Sequence, residues 1–266
     1  MLVDAHGPAG AGEAWRLFTT PELWPTWAPQ ISSVEASDTV LTTGTTGRVH
    51  GPAGLAVDFT VTHVDHAERS WSWQVGRGPV EVGMDHHVLP APDGCRAVLR
   101  VPGRSAAVAQ PYRVPAAMAL RRLVAGSPGG SDGDPVEEVE TFDFAFAPSY
   151  AVAGRAFGIT PRTTTVEVGP EWLFVRYGPW RLVTPRSNIA SADVTGGFSW
   201  VKTAGPPHLS LSDRGISMTT NGDRALCLSF HEPVPSIDPT ASITHPGATL
   251  SVADPEGMAA ALGLGA

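Results

Sequence analysis

The run VEVGMDHHVL at 80–89 places an aspartate and two histidines side by side, Asp85, His86 and His87. These residue types can bind a metal ion or move a proton. The run reads as a strand, however, and neighbouring side chains on a strand point to opposite faces. The two imidazoles therefore cannot converge on one ion. The phase of Met84, His86 and Val88 puts His86 on the concave, apolar side. A polar group there can orient a ligand hydroxyl or carbonyl by hydrogen bonding. His63 and His66, in HVDH, lie at a strand end, and no spacing signals the third ligand that zinc requires. No glycine-rich phosphate loop, nucleophile elbow or Cys–His pair is evident, and no cofactor, metal or catalytic residue is expected. If acid–base chemistry occurs, His86 and Tyr112 are its plausible members.

The segment AWRLFTTPELWPTWAP at 14–29 holds three tryptophans and three prolines. Trp15, Leu17 and Phe18 fit a helix, and Pro21 and Pro25 forbid its continuation. Thr20 can cap a second, short turn with Pro21 at its first position. Strand patterns follow at Ile31–Glu35, Gly47–Gly51 and Leu55–Val64, then SWSWQV at 70–75, the run at 80–89 and CRAVLRV at 95–101. PAPDG turns the last pair. Phe59, Trp71 and Trp73 share one strand phase and either fill a core or wall a pocket. A closing helix carries Ala117, Leu120 and Val124 on one stripe, while Pro111 and Pro115 break or bend its start.

Helices, an antiparallel meander and a terminal helix, in the order AWRLFTTPELWPTWAP, GLAVDFTVTHVD, SWSWQV, MDHHVLPAPDG, resemble the START/SRPBCC superfamily of polyketide cyclases and lipid-transfer domains. The resemblance covers residues 1–126. It implies a helix-grip fold, a curved antiparallel sheet around a C-terminal helix with an apolar cavity between them. Trp15, Phe18, Trp24 and Trp27 would plug or line the cavity end. Phe59, Val61, Trp71, Trp73 and Leu99 would form its sheet wall, Tyr112 and Met118 its helix side, and His86 would set ligand orientation. MLVDAHGP is shorter than the family's usual first strand, so that strand is expected to be clipped or the chain's true start to lie upstream.

Ala125–Pro135, AGSPGGSDGDP, reads as a linker, which gives domains at 1–126 and 137–266 joined by 127–136. In the second half TTTVEV, WLFVRYG and RLVTP read as strands turned by GPE and GPW. HLSLSDRGISMTTNGDRALCLSF reads as two hairpins, turned at Asp213-Arg214-Gly215 and at Asn221-Gly222. Asp254 can cap a last helix with Pro255 at its first position. This layout looks like a bacterial pleckstrin-homology-like domain of an uncharacterised family, a mostly β barrel with a C-terminal helix; the whole is expected to be α+β. Arg176, Arg181 and Arg186 read as a solvated face.

Net charge is −8, with ten basic and eleven acidic residues in 1–126 against eight and fifteen in 127–266. Neither half has the basic surplus that nucleic acid demands. No run is long and apolar enough for a membrane span and no leader is evident, so a cytoplasmic protein without integral membrane contact is expected. The expected function is non-enzymatic carriage or sensing of a small apolar or amphipathic, lipid- or polyketide-like ligand. The alternatives are a cyclase/dehydrase-like enzyme using His86, and a scaffold acting through the second half with a protein partner.

Overall fold

The computed structural model describes residues 1–77, 80–103, 105–126, 138–197, 206–209, 214–237 and 243–264. The chain divides into two compact units, Met1–Glu137 and a second made of Glu138–Asp238 with Ser242–Ala266. The expected linker at 127–136 lies outside the described residues.

The first unit opens with β1 (Leu2–Gly7), α1 (Ala11–Thr19), a 3-10 turn at Pro21–Leu23 and α2 (Trp24–Trp27). Six strands follow: β2 (Ser33–Ala36), β3 (Thr46–His50), β4 (Ala56–Asp65), β5 (Ser70–Arg77), β6 (Val80–Ala91) and β7 (Gly94–Arg100). They form one antiparallel sheet in the order β1-β7-β6-β5-β4-β3-β2. All six residues of β1 pair with β7, from Leu2↔Arg100 to Gly7↔Cys95. The unit closes with α3 (Ser105–Val108), a 3-10 turn at Gln110–Tyr112 and α4 (Arg113–Leu123). The helix start is broken, as the prolines require. Pro111 sits in the 3-10 turn, and Pro115 falls in the first turn of α4, where backbone N–H groups have no partner to lose.

Alternation decides which side of the sheet is greasy. Phe59 and Val61 of β4, Trp71 and Trp73 of β5, Val88 of β6 and Cys95, Ala97 and Leu99 of β7 join one buried cluster. Ala116, Ala119, Leu120 and Leu123 of α4 complete it. A register shift between Val61 and His63 marks a bulge in β4, a device that bends a strand. A large antiparallel sheet packed on helices is consistent with the helix grip.

The short helices explain the tryptophan–proline segment. A helix leaves its last carbonyls without partners. Those of Leu17 and Phe18, near the end of α1, accept the indole N–H groups of Trp27 (3.2 Å) and Trp24 (2.8 Å). The proline break turns the chain so that these rings reach back. Thr20 stands at the expected cap position, although its side chain makes no capping bond.

The second unit contains β8 (Glu140–Phe142), α5 (Pro148–Arg155), β9 (Thr164–Val168), β10 (Trp172–Tyr177), β11 (Trp180–Pro185) and β12 (Ile189–Gly196). β13 (His208–Leu209), β14 (Ile216–Met218), β15 (Arg224–Pro235), β16 (Thr244–Leu250) and α6 (Pro255–Ala261) follow. Among the described residues these strands form two sheets, ordered β11-β10-β9-β8 and β12-β15-β16-β14-β13, and no closed barrel. The barrel expectation fails because β16 inserts between β15 and β14, pairing antiparallel with one and parallel with the other. The expected hairpin at Asn221-Gly222 fails for the same reason. Asn221 instead donates to the Ala145 carbonyl at 3.0 Å and accepts from the Asp223 and Arg224 N–H groups, anchoring a loop. Asp213 of the other expected turn lies outside the described residues.

GPE and GPW do turn antiparallel pairs, β9 to β10 and β10 to β11. Asp254 caps α6, its Oδ1 accepting the Gly257 N–H at 2.8 Å. The arginines are not the expected solvated face. Arg181 donates to the Gly178 and Trp180 carbonyls, and Arg186 donates to Gly169, Pro170 and, at 2.7 Å, Ala261 at the end of α6. Carbonyls left over at turns and at a helix C-terminus attract these cations.

Candidate functional site

Inside the grip, cross-strand pairing sets the rings. Trp71 of β5 lies opposite His86 of β6 in the sheet register. Their rings stack with centroids 4.1 Å apart and planes 9° from parallel. Trp24 from α2 covers Trp71 at 5.8 Å and meets Trp73 edge-on at 5.3 Å. Phe18 of α1 stands edge-on to Trp27, Trp71 and His86, at 5.4, 6.1 and 5.5 Å. Contacts of this geometry add stability beyond simple burial, by about 0.5–1.5 kcal/mol each.

A cavity of about 30 Å³ remains beside this cluster. It is small beside the roughly 300–1,000 Å³ of a pocket that encloses a drug-sized ligand. Four tryptophans, two phenylalanines and a histidine cluster about this cavity and narrow it.

The expected residues divide cleanly. Phe18, Trp24, Trp27, Trp71, Trp73, His86, Leu99 and Tyr112 all line the cavity. Phe59 and Val61 are buried but outside the lining; Phe59 packs behind it, on Trp24 and Trp73 at 5.7 and 5.4 Å. Met118 is a correction. It is 47% exposed, because it lies two residues, about 200° of helix, from both Ala116 and Leu120, which face inward. Trp15 is also outside the lining; its indole donates to His66 Nδ1 at 3.2 Å.

Sequence reasoning missed Gln30, Ile31, Ala116, Ala119 and Leu120 as lining residues. The spacing of Ala116, Ala119, Leu120 and Leu123 was a usable helical signal. Gln30 carried none, since it sits in the connection after α2 where no periodicity applies. Gln30, Ile31 and Tyr112 are the half-buried members of the lining and form the mouth. Across it, Gln30 Nε2 donates to the Tyr112 hydroxyl at 2.9 Å.

The wall is not purely apolar. Trp71 Nε1, Trp73 Nε1, His86 Nδ1 and Gln30 Oε1 are buried without a hydrogen-bond partner among the described residues. An unmet polar group in such a place costs roughly 1–3 kcal/mol. By contrast, the Trp24 and Trp27 indoles are satisfied. His86 is held neutral: burial pushes its pKa down to about 3, and the neighbouring His87 adds to the effect. Burial raises the Tyr112 phenol, partly offset by the bond from Gln30. His87, on the other face of β6 as alternation demands, is half-buried. Among the described residues no group of three metal-binding side chains occurs, and no helix is long and apolar enough to cross a membrane.

Comparison with solved structures finds similarity to the crystal structure of Ara h 8.0201, at 15% identity over 46% of this chain and 93% of that one, with a TM-score of 0.38. The protein XoxI from Bacillus cereus is similar at 12% identity, over 47% and 92% of the two chains, TM-score 0.38. A protein from Thermobifida fusca is similar at 16% identity, over 48% and 96%, TM-score 0.38. No curated protein matches the chain. Residues 3–127, which contain every residue lining the cavity, match the family model described as polyketide cyclase/dehydrase and lipid transport.

Proposed function

We propose that the first unit binds one small, mainly apolar molecule with a hydrogen-bonding group, and carries or senses it without reaction. The observation that carries this reading is the set of four unmet polar atoms on residues of one aromatic cavity. Two indole donors, an imidazole nitrogen and an amide oxygen suit a carbonyl- or hydroxyl-bearing guest. The match of residues 3–127 to a family whose description includes lipid transport supports an apolar guest. Each methylene it buries contributes about 0.8 kcal/mol, so no charged contact is needed.

Because the cavity is small, a larger guest requires the grip to open, and the Gln30–Tyr112 bond at the mouth is the first contact to part. Acid–base catalysis by His86 is less favoured. An imidazole whose conjugate acid is held at about 3 is too weak a base to drive proton removal near neutrality. The reading keeps a small molecule as the partner and the cytoplasm as the expected compartment.

Titration of the full chain with an apolar fluorophore such as 1-aminoanthracene, read by quenching of tryptophan emission, tests it. Saturable one-site binding that weakens in Trp71→Leu is expected. Absence of binding, together with no co-purifying small mass in native mass spectrometry, sinks the reading.

A further inference from the structure

The closing helical segment has an outer face unlike the rest of the chain. From Pro102 to Gly126 there are four arginines and no aspartate or glutamate, in a protein whose net charge is −8. On α4, the inward positions are Ala116, Ala119, Leu120 and Leu123. The opposite side presents Val114, 67% exposed, and Met118, 47% exposed, at a spacing of four residues. Arg121 and Arg122, also exposed, extend this side by another turn. Val108 of α3, 63% exposed, and Arg113, also exposed, flank the mouth residue Tyr112 in the sequence. Arg113, Arg121 and Arg122 make no ion pair with any of the described residues, whereas Arg96 and Arg100 are paired with Asp4 and Asp85.

We propose that this face docks on the surface of a lipid bilayer bearing anionic headgroups. Isolated exposed valines need no explanation, but here two bare apolar side chains are followed, one turn on, by two unpaired cations along one helix side. That mixture fits a membrane interface: valine and methionine enter the acyl boundary, while arginine stems lie flat and lift the guanidinium groups to the headgroups. Arginines near such a surface are attracted even when the rest of the protein is acidic, because the interaction falls off within a Debye length. Tyr112, a mouth residue, immediately precedes Arg113, so the mouth stands at the amino-terminal end of the docked helix. The docking stands on the surface residues alone and does not depend on what the cavity binds.

The test is co-sedimentation of the full chain with phosphatidylcholine vesicles and with vesicles containing about one-third phosphatidylserine. Binding to the anionic vesicles alone, weakening at high salt, is expected. Arg121→Gln with Arg122→Gln should lower partitioning by roughly tenfold, and Met118→Asp should lower it as well. These positions are exposed, so circular dichroism of the variants should match the wild type. No sedimentation with anionic vesicles, or equal sedimentation of the double variant, overturns the proposal. Retention on immobilised polyglutamate without vesicle binding also overturns it, in favour of an acidic protein partner. Failure of the fluorophore titration with retained vesicle binding would strike the cavity reading and leave the docking intact.

Discussion

Replacing His86 by phenylalanine should make the protein more resistant to mild acid. In the folded chain the imidazole is 5% exposed, stacked on Trp71, and burial lowers its pKa from 6.5 to about 3. In the unfolded chain it titrates near 6.5. A proton therefore binds the unfolded state more tightly, and stability falls as pH drops. The contribution is fully present above about 6.5 and is lost progressively as pH falls towards 3. Linkage gives a loss of about 2 kcal/mol between pH 8 and pH 5 from this one group. His87, held by burial at about 4, with Asp85 raising its pKa and Arg100 lowering it, adds a loss of its own to both proteins. Urea unfolding followed by tryptophan fluorescence at the two pH values, in wild type and in His86→Phe, isolates the His86 share. The ring of the variant keeps the aromatic stack but cannot titrate; His86→Gln serves if the larger ring is not accommodated. An equal loss of stability in wild type and variant would refute the argument, because it would mean that His86 reaches water or finds a partner for its proton.

Tyr112→Phe removes the hydroxyl that Gln30 Nε2 donates to at the mouth. Loss of about 1 kcal/mol of closure should raise acrylamide quenching of the tryptophans and speed fluorophore association by roughly fivefold; unchanged quenching and rate would show that the mouth lies elsewhere. Gly7→Ala places a methyl group onto the Val124 carbonyl, where the end of β1 meets the end of the closing helix. Backbone cannot move aside cheaply there. A destabilisation of roughly 3 kcal/mol, read from urea midpoints, is expected, and a wild-type midpoint would contradict the close approach.

Much of this molecule is written locally. Periodicity of two placed the strands β3 to β7 within a residue or two, because one face of a half-buried sheet must be apolar. The same alternation separated His86 from His87 and put Trp71 and Trp73 on one face, whereas Phe18, Trp24 and Trp27 were placed at the cavity end by the family resemblance and not by any period of two. Proline chemistry placed the breaks after α1 and before α4, and Asp254 with Pro255 marked the start of α6. These are effects of neighbouring residues on one another, so the order of residues suffices to reveal them. Other features depend on partners distant in the chain. Met118 was assigned to the helix side of the cavity as part of the family resemblance, but only packing against the sheet decides which side of α4 turns inward. Asn221-Gly222 carries the local signature of a tight hairpin, yet β16 takes the place beside β15 and the asparagine amide goes to Ala145. Arg186 found its carbonyl partner on α6, 75 residues away. Above all, the amino-acid order shows that large rings face inward but not whether they leave room. The size of the cavity is the small difference between the volume the sheet and helices enclose and the volume the rings fill, and that difference exists only once every ring has its place.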